Sequence, residues 1–423
     1  MKVLLINPNR FRTPPAPPIG LEYLLAALDK GGHSTRLLDL CFSEDTYGDI
    51  DRAMEEFVPD VVGISVRNID TVRFIDNEFF LDAIAAMVRH LKENYRVKVI
   101  IGGAALPADP EGIVEYTGAD HGVMGPATHL IGGVLTALQQ GALSSRVSRG
   151  YDHAYSPVPR CFSATDYQKY CREGGIAGFG THSGCSSSCV YCIEADTPVA
   201  FRHPGDVVQE ITAFTERGQH RFHLCDPEFN EDLDHALAFC AALKQSGVRI
   251  SWAAYMKPAN FNQKLFSLMR ETGVYLITLA VDSFRKCPLY WTDTEKMIFS
   301  ARNNGIRVIV DFLTGFPYED EALLKWCLDF FRRLQPERVN INTYIRLYKS
   351  LKISLIIERD PALTTFLTGN AADSSRIRPV FFNRVGNRRL EELIAGDDLF
   401  RIEGTERNVN YTITSPGPDK TPA

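Results

Sequence analysis

Three cysteines fall within the eight residues from Cys185 to Cys192, in the segment Gly184-Cys185-Ser186-Ser187-Ser188-Cys189-Val190-Tyr191-Cys192. The thiolate is the metal-binding form of cysteine. Three thiolates on one loop rich in Gly and Ser can wrap a single metal centre. Iron–sulfur clusters are held by Cys thiolates and ordinarily take four; three leave one iron an open position for a substrate. A structural zinc is the rival, although zinc sites usually recruit two closely spaced ligand pairs and a closing fourth ligand. His182 or His203 stands near enough in sequence to be that fourth ligand, so spacing alone leaves zinc open. Mere burial of the three thiols is a poor account, because the surrounding serines and glycines offer no apolar core.

The chain carries ten cysteines in all. Cys225, Cys240 and Cys327 lie within apolar patterns and read as core thiols, as free cysteine commonly is. The apolar run Val3–Ile6 at the N-terminus is too short for a signal-peptide core or a membrane span, and no later apolar stretch reaches the about 18 residues such a span requires. The expected compartment is therefore the cytoplasm, where thiols stay reduced and disulfides are not expected. A net charge of -6 gives no global basic field for nucleic acid. The 423 residues are enough for two domains and a small third.

The elements that must position the cysteine loop can be read on both sides of it. Over residues 1–140 short apolar runs alternate with helical spacings. Strands are expected at Lys2–Ile6, Thr35–Leu40, Asp60–Val66, Val97–Ile101 and His121–Met124. Helices are expected at Gly20–Lys30, Ile50–Phe57, Phe79–Asn94, Glu111–Thr117 and His129–Gln140. Such alternation predicts an α/β, doubly wound (Rossmann-like) domain with a parallel sheet covered on both faces. Ligands of such sheets bind beyond the carboxyl ends of the strands. Residues 141–175 have little periodicity and read as a linker. Over 176–350 the alternation resumes, with six strand–helix units that predict a partial parallel barrel. The cysteine loop follows its first strand. Residues 351–423 form a mixed C-terminal segment, whose end, 415–423, has the composition of a disordered tail.

Cys-x-x-x-Cys-x-aromatic-Cys after the first strand of a partial barrel resembles the radical S-adenosylmethionine enzymes. The surroundings agree in order: Arg202 and Pro204–Ile211 after the loop, Asp226-Pro227-Glu228-Phe229-Asn230 after the second strand, Val281-Asp282-Ser283 after the fourth, and Gly315-Phe316-Pro317-Tyr318-Glu319 after the fifth. The resemblance implies a four-iron four-sulfur cluster on Cys185, Cys189 and Cys192, with the amino and carboxylate groups of S-adenosylmethionine on the remaining iron. Cleavage of the cosubstrate by an electron from the cluster would yield a 5′-deoxyadenosyl radical. It further implies Asp226 or Glu228 near the cosubstrate's amino group, Ser283 as ribose partner with Asp282 beside it, and Gly315 and Pro317 shaping the turn at the adenine. Tyr191 would cover the cluster near the adenine; its plain alternative is a core aromatic.

The first domain resembles that of the cobalamin-binding branch of this superfamily. The matching features are Asn7-Pro8 after the first strand, prolines at 14, 15, 17 and 18, Ile19-Gly20-Leu21 opening a helix, Gly31-Gly32-His33, Val62-Gly63-Ile64-Ser65 and Ile101-Gly102-Gly103. The implied corrinoid site lies between the domains, with the loop Asn7–Pro18, the segment Ser65–Asn68 and Gly102–Ala104 lining it. Two departures stand out. Gly125-Pro126-Ala127 replaces the acidic turn many relatives carry, and no Asp-x-His-x-x-Gly motif supplies a lower cobalt ligand. A first domain that has lost its corrinoid and serves as scaffold is the alternative.

The implied activity is methylation of an unactivated carbon of a small molecule, with cobalamin as methyl carrier and an external electron donor such as flavodoxin or ferredoxin. A cyclisation, ring contraction or oxidation with the same cofactors is the first alternative, and a corrinoid or redox carrier the second. A transfer-RNA methylthiotransferase is disfavoured, since Cys41 alone in the first domain cannot hold a second cluster. No residue is assigned as catalytic. Five arginines, Arg376, Arg378, Arg384, Arg388 and Arg389, fall together without an intervening acid. They suit an anionic substrate, but a solvated surface is the favoured reading.

Overall fold

The computed structural model describes residues 1–150 and 160–402, so the expected tail 415–423 lies outside the described residues. The first domain is a parallel sheet of β1 (Lys2–Asn7), β2 (Ser34–Asp39), β3 (Val61–Ser65), β4 (Lys98–Gly102), β5 (His121–Met124) and β6 (Val147–Arg149), in the order β2-β1-β3-β4-β5-β6. β1 pairs with β2 on one side and β3 on the other, so the winding reverses there. That reversal opens a crevice at the carboxyl ends, the general ligand site of such sheets.

Period-two alternation in β1 explains why its sequence is an unbroken apolar run. Val3 and Leu5 belong to the core beneath helices Ile19–Lys30 and Ala127–Gln139. Leu4 and Ile6 belong to the core on the opposite face. A strand covered on both faces must be apolar at every position. Helix ends follow their caps: the Asp45 side chain accepts from the Gly48 N–H, and Asp109 accepts from Gly112 N–H ahead of Pro110.

The second domain is a sheet of seven parallel strands among the described residues. In chain order they are Ala177–Phe179, Arg221–Leu224, Ser251–Met256, Val274–Asp282, Arg307–Leu313, Arg338–Asn342 and Phe400–Ile402. The first six are those expected, within a residue or two. The seventh, Phe400–Ile402, pairs beside Arg338–Asn342 and was not expected. Three residues arriving after a long excursion carry no periodic signal of their own. Outward-facing residues such as Phe222, Trp252, Ile277, Val310 and Ile341 are buried against the helices in one core.

Two stretches read as irregular have structural work. The linker contributes β6 to the first sheet and the helix Tyr167–Arg172. The C-terminal segment adds Val380–Phe382 and Leu367–Gly369 to Ile345–Arg346, just before it, in a three-stranded antiparallel sheet, and Leu347 follows that first strand. Its Ile345, Leu347, Val380 and Phe382 share a core with Leu4, Ile64 and Ile101 of the first domain. Arg346 seals this contact: its Nε lies 2.7 Å from Asp70 Oδ2, both side chains being buried. No described helix is long and apolar enough to cross a membrane.

Candidate active site

The cysteine loop is shaped by backbone before it is shaped by metal. Gly184 has φ +80°, and a Cβ there would collide with the Pro198 carbonyl, so only glycine fits. The Cys185 N–H donates to Thr197 Oγ1 at 2.9 Å, and the Thr197 N–H donates back to the Cys185 carbonyl at 3.0 Å. Glu231, which sequence reasoning missed, clamps the loop from the second strand–helix connection. Its Oε1 accepts from the Ser186 N–H at 3.0 Å and from the Ser186 hydroxyl, and its Oε2 lies 2.6 Å from Lys257 Nζ. Burial works against the ionised form of Glu231, but the hydrogen bonds from Lys257 and Ser186 prevail and hold its carboxyl below the usual range.

The three thiols sit in different surroundings. Burial pushes Cys185 up and Cys192 up to about 12, so metal binding must displace their protons. Cys189 Sγ accepts from Arg285 Nη2 at 3.0 Å, and Arg285 Nε lies 3.3 Å from Asp282 Oδ2. Among the described residues no three His, Cys, Asp or Glu side chains gather as they would round one ion. Neither histidine offered as a fourth zinc ligand gathers with the thiols round one ion among the described residues, and each uses Nδ1 within the fold. His203 caps helix Pro204–Thr215 through Nδ1, and His182 Nδ1 lies 3.1 Å from Asp226 Oδ2. A four-iron cluster takes one thiolate per iron, so its ligands stand further apart than those of a tetrahedral zinc, and the donor set of three thiols fits it.

The other anticipated residues do gather at the carboxyl ends of the barrel strands, with unequal freedom. Asp226 is spent: its oxygens accept from Thr181 N–H at 2.7 Å, the Thr181 hydroxyl and the His182 N–H at 3.3 Å, and its Oδ2 lies 3.1 Å from His182 Nδ1. Glu228, two residues on, is not: its Oε2 is enclosed without a partner. Burial pushes this carboxyl up to about 8, with Lys257 opposing and Glu231 adding to the shift. An enclosed carboxylate oxygen without a donor fits a cationic amino group. Ser283 gives its hydroxyl to Glu319 Oε2 at 2.7 Å rather than to an open space. The same Glu319 oxygen accepts from the Gly315 N–H at 2.8 Å and the Phe316 N–H at 3.0 Å. Gly315 has φ +88°, and a Cβ there would collide with the Thr343 carbonyl; Pro317 beside it is buried. Glu319 thus fixes the turn that Gly315 and Pro317 form. Tyr191 donates to Asp282 Oδ2 at 3.2 Å, and its ring lies 5.5 Å from that of Phe316.

A cavity of about 510 Å³ opens between the domains. From the first domain it is lined by Gly20, Leu21, Gly63, Ser65, Gly102, Gly103 and Ala104; from the second by Gly180, His182, Gly184, Glu194, Arg202 and Cys225. Ser65, Gly102 and Gly103 were expected there. Asn7 and Pro8 are not among the lining residues. Asn7 instead donates through Nδ2 to Asp39 Oδ1 at 2.8 Å across the β1–β2 edge, which turns it away. Cys225, read as a core thiol from its apolar neighbours, faces this cavity, whereas Cys240 and Cys327 are buried as expected. A methyl group built on Gly20 would meet no atom within 4 Å, so the space continues to the helix backbone. A cavity of this size, lined mainly by apolar residues with a few polar ones, fits a large flat ligand.

Beneath the cavity lies a buried ionic network that sequence reasoning missed. Arg160 Nε bonds Glu22, its Nη1 donates to the Gly178 carbonyl at 2.6 Å, and Tyr167 donates to Glu22 at 2.9 Å. Arg202 Nη2 lies 2.8 Å from Glu210 Oε2, and Tyr23 donates to the same carboxylate at 2.6 Å. Helix Ile19–Lys30, the linker and helix Pro204–Thr215 are tied together by it. Of the C-terminal arginines, Arg376 is buried and the other four belong to the surface. Arg376 pairs with Glu358, Arg378 with Asp82, Arg388 and Arg389 with Glu392, and Arg384 lies over the Phe366 ring.

Residues 12–135 match the B12 binding domain family. Among curated proteins, tryptophan 2-C-methyltransferase of Streptomyces laurentii is 26% identical over 456 residues, covering 86% of this chain and 76% of that protein. Cytidylyl-2-hydroxyethylphosphonate methyltransferase of Streptomyces wedmorensis is 26% identical over 400 residues, covering 75% of this chain and 73% of that one. Among solved structures, the radical S-adenosylmethionine methyltransferase TsrM of Kitasatospora setae, with cobalamin and a [4Fe-4S] cluster bound, superposes with a TM-score of 0.83. It is 23% identical, with 95% of this chain and 92% of that chain covered. The cobalamin-dependent S-adenosylmethionine radical enzyme OxsB superposes at 0.72, with 12% identity and 93% of this chain and 66% of that chain covered. The doubly wound domain, the barrel and their mutual placement are therefore a fold shared along nearly the whole chain.

Proposed function

We propose that this member of the cobalamin-binding-domain radical S-adenosylmethionine family transfers a methyl group to a carbon of a small-molecule substrate. The observation that carries the reading is one cavity with two owners: the carboxyl edge of the first sheet and the loop that bears the cysteines. A methyl carrier held there faces the radical site directly, and reacting atoms must approach to about 3–3.5 Å. The relatives agree on methyl transfer while differing in substrate, one named for tryptophan and one for a nucleotide-linked phosphonate. The reaction class, not the substrate, is what the comparison supports.

When bound, the corrinoid supplies a transferable methyl group, and the reduced cluster supplies the electron that cleaves S-adenosylmethionine. The chain's own residues hold and shield. Cys185, Cys189 and Cys192 hold the cluster, with Glu231 and Thr197 fixing their loop. Glu228 is the seat for the cosubstrate's ammonium, and it replaces Asp226 in that role because Asp226 is fully bonded within the fold. Glu319 sets the Gly315–Pro317 turn, and Ser283 serves that turn before any ribose. Arg285 balances charge between Cys189 and Asp282. Ser65, Gly102 and Gly103 line the space that would take the corrinoid. An external one-electron donor, flavodoxin or ferredoxin, completes the system.

The test uses S-adenosylmethionine with a deuterated methyl group and candidate small-molecule substrates suggested by the genomic neighbourhood. A product carrying the label is expected. An unlabelled product formed alongside stoichiometric 5′-deoxyadenosine would overturn methylation in favour of a cyclisation, ring contraction or oxidation.

A further inference from the structure

Hydrogen bonds to the sulfurs and nearby charge set how readily an iron–sulfur cluster takes an electron. Arg285 brings both to one of the three cysteines: its Nη2 donates to Cys189 Sγ at 3.0 Å. The arginine is held there by contacts that do not involve the thiol. Its N–H donates to Asp282 Oδ1 at 3.1 Å, and its Nε lies 3.3 Å from Asp282 Oδ2. Its carbonyl accepts from Trp291 Nε1 at 2.9 Å, and its guanidinium lies 5.3 Å from the centre of the Tyr290 ring. Asp282 is anchored in turn, because its N–H donates to the Tyr290 hydroxyl at 3.1 Å and its Oδ2 accepts from Tyr191 at 3.2 Å. Lys257 and Lys352 also reach the cysteine loop, at Ser187 and Asp196, but their contacts are to oxygen. A guanidinium stays charged throughout the working pH range.

We propose that Arg285, acting through Cys189, raises the reduction potential of the cluster and so eases its reduction. The proposal rests on the reading that Cys185, Cys189 and Cys192 hold that cluster. The step is the transfer of one electron from an external one-electron donor. No bond in the chain forms or breaks, and Arg285 remains a cation throughout. The added electron increases the negative charge on the cluster and its sulfurs. A charged N–H donor on sulfur therefore stabilises the reduced form more than the oxidised one. Two features keep the effect moderate. Asp282 offsets part of the charge, and the Arg285 side chain is 39% exposed, so water screens the rest. The turn itself is closed by the backbone N–H and carbonyl of Arg285. Shortening the side chain leaves those bonds in place.

Full-length protein is reconstituted without air from iron and sulfide, with no corrinoid or S-adenosylmethionine added. Its cluster is titrated with dithionite against low-potential viologen mediators, and reduction is read by visible absorbance and by paramagnetic resonance. Arg285→Met removes charge and donors, and Arg285→Gln keeps an N–H donor without the charge. Both midpoints should move to lower potential, the Met variant's further. The one-electron equilibrium in the Met variant should fall roughly tenfold, or about 59 mV. Arg285→Lys restores the charge and should recover part of the shift. Iron content and unfolding midpoint should match wild type, which a merely structural arginine would not allow. Wild-type midpoints in both the Met and Gln variants, with iron retained, overturn the role of Arg285 alone. Loss of the cluster from both, while wild type keeps it, assigns Arg285 to holding the loop and overturns the redox role. Wild type that itself takes up no cluster overturns the cysteine assignment and this inference together.

Discussion

Two polar assemblies meet at the domain boundary, and they differ in what they leave open. The network of Glu22, Tyr23, Arg160, Tyr167, Arg202 and Glu210 is buried and dense with mutual bonds among carboxylates, guanidinium groups and phenols. A few ångströms of chain away, His182 Nε2 and Glu228 Oε2 are enclosed without a partner. Buried polar groups are almost always bonded. The first assembly meets most of that demand within the protein, and so it ties the two domains together. The second leaves its two enclosed atoms without a partner in the protein.

The comparison can be broken most completely at the cysteines. Changing Cys185, Cys189 and Cys192 together to alanine should remove about four irons per chain and abolish S-adenosylmethionine cleavage, measured by iron assay and chromatography; retained iron would refute the assignment. The closed assembly should answer in stability instead. Arg160→Met strands Glu22 and Glu210, and removing one partner of a buried pair costs about 3–5 kcal/mol. Denaturant unfolding should show that loss, and a double change with Glu22→Gln should recover part of it. The open assembly should answer in affinity. Glu228→Gln is expected to weaken S-adenosylmethionine binding roughly tenfold or more, since the bond lost is to a charged group.

Glu228 also gives a pH signature whose sign is fixed. Its carboxyl is pushed from 4.5 up to about 8 in the folded chain. Between those values the folded state holds the proton that the unfolded state has released. Ligand-free stability should therefore fall as pH rises through this window, by at most about 1.4 kcal/mol per unit from this group. The slope should flatten in Glu228→Gln; identical slopes would show that burial of this carboxyl is overstated. The smallest effect belongs to the surface. Arg378→Ala removes an exposed pair with Asp82 and should change stability by less than about 1 kcal/mol.

Much of the site was legible because its signals are local. Cys185, Cys189 and Cys192 announce their chemistry by residue type and spacing, and Gly315 with Glu319 does so by turn composition. The strands were legible because burial on both faces demands continuous apolar runs. Asn7 and Cys225 stand otherwise to the cavity than expected, for one shared reason. Sequence gives a residue's place on a strand or loop, but the direction its side chain faces at a strand end depends on what packs there: Asp39 draws Asn7 away from the cavity, and the meeting of two domains leaves Cys225 facing into it. The seventh barrel strand was invisible because three residues gain strand character only from the neighbour they join. What the sequence determined alone was the cluster loop, the two α/β domains and their order. What the tertiary structure decided was which carboxylates are spent and which are free. Asp226 and Glu228 stand two residues apart with the same chemistry, and only the arrival of Thr181 and His182 from another strand end satisfies the first, while the second keeps an enclosed oxygen without a partner.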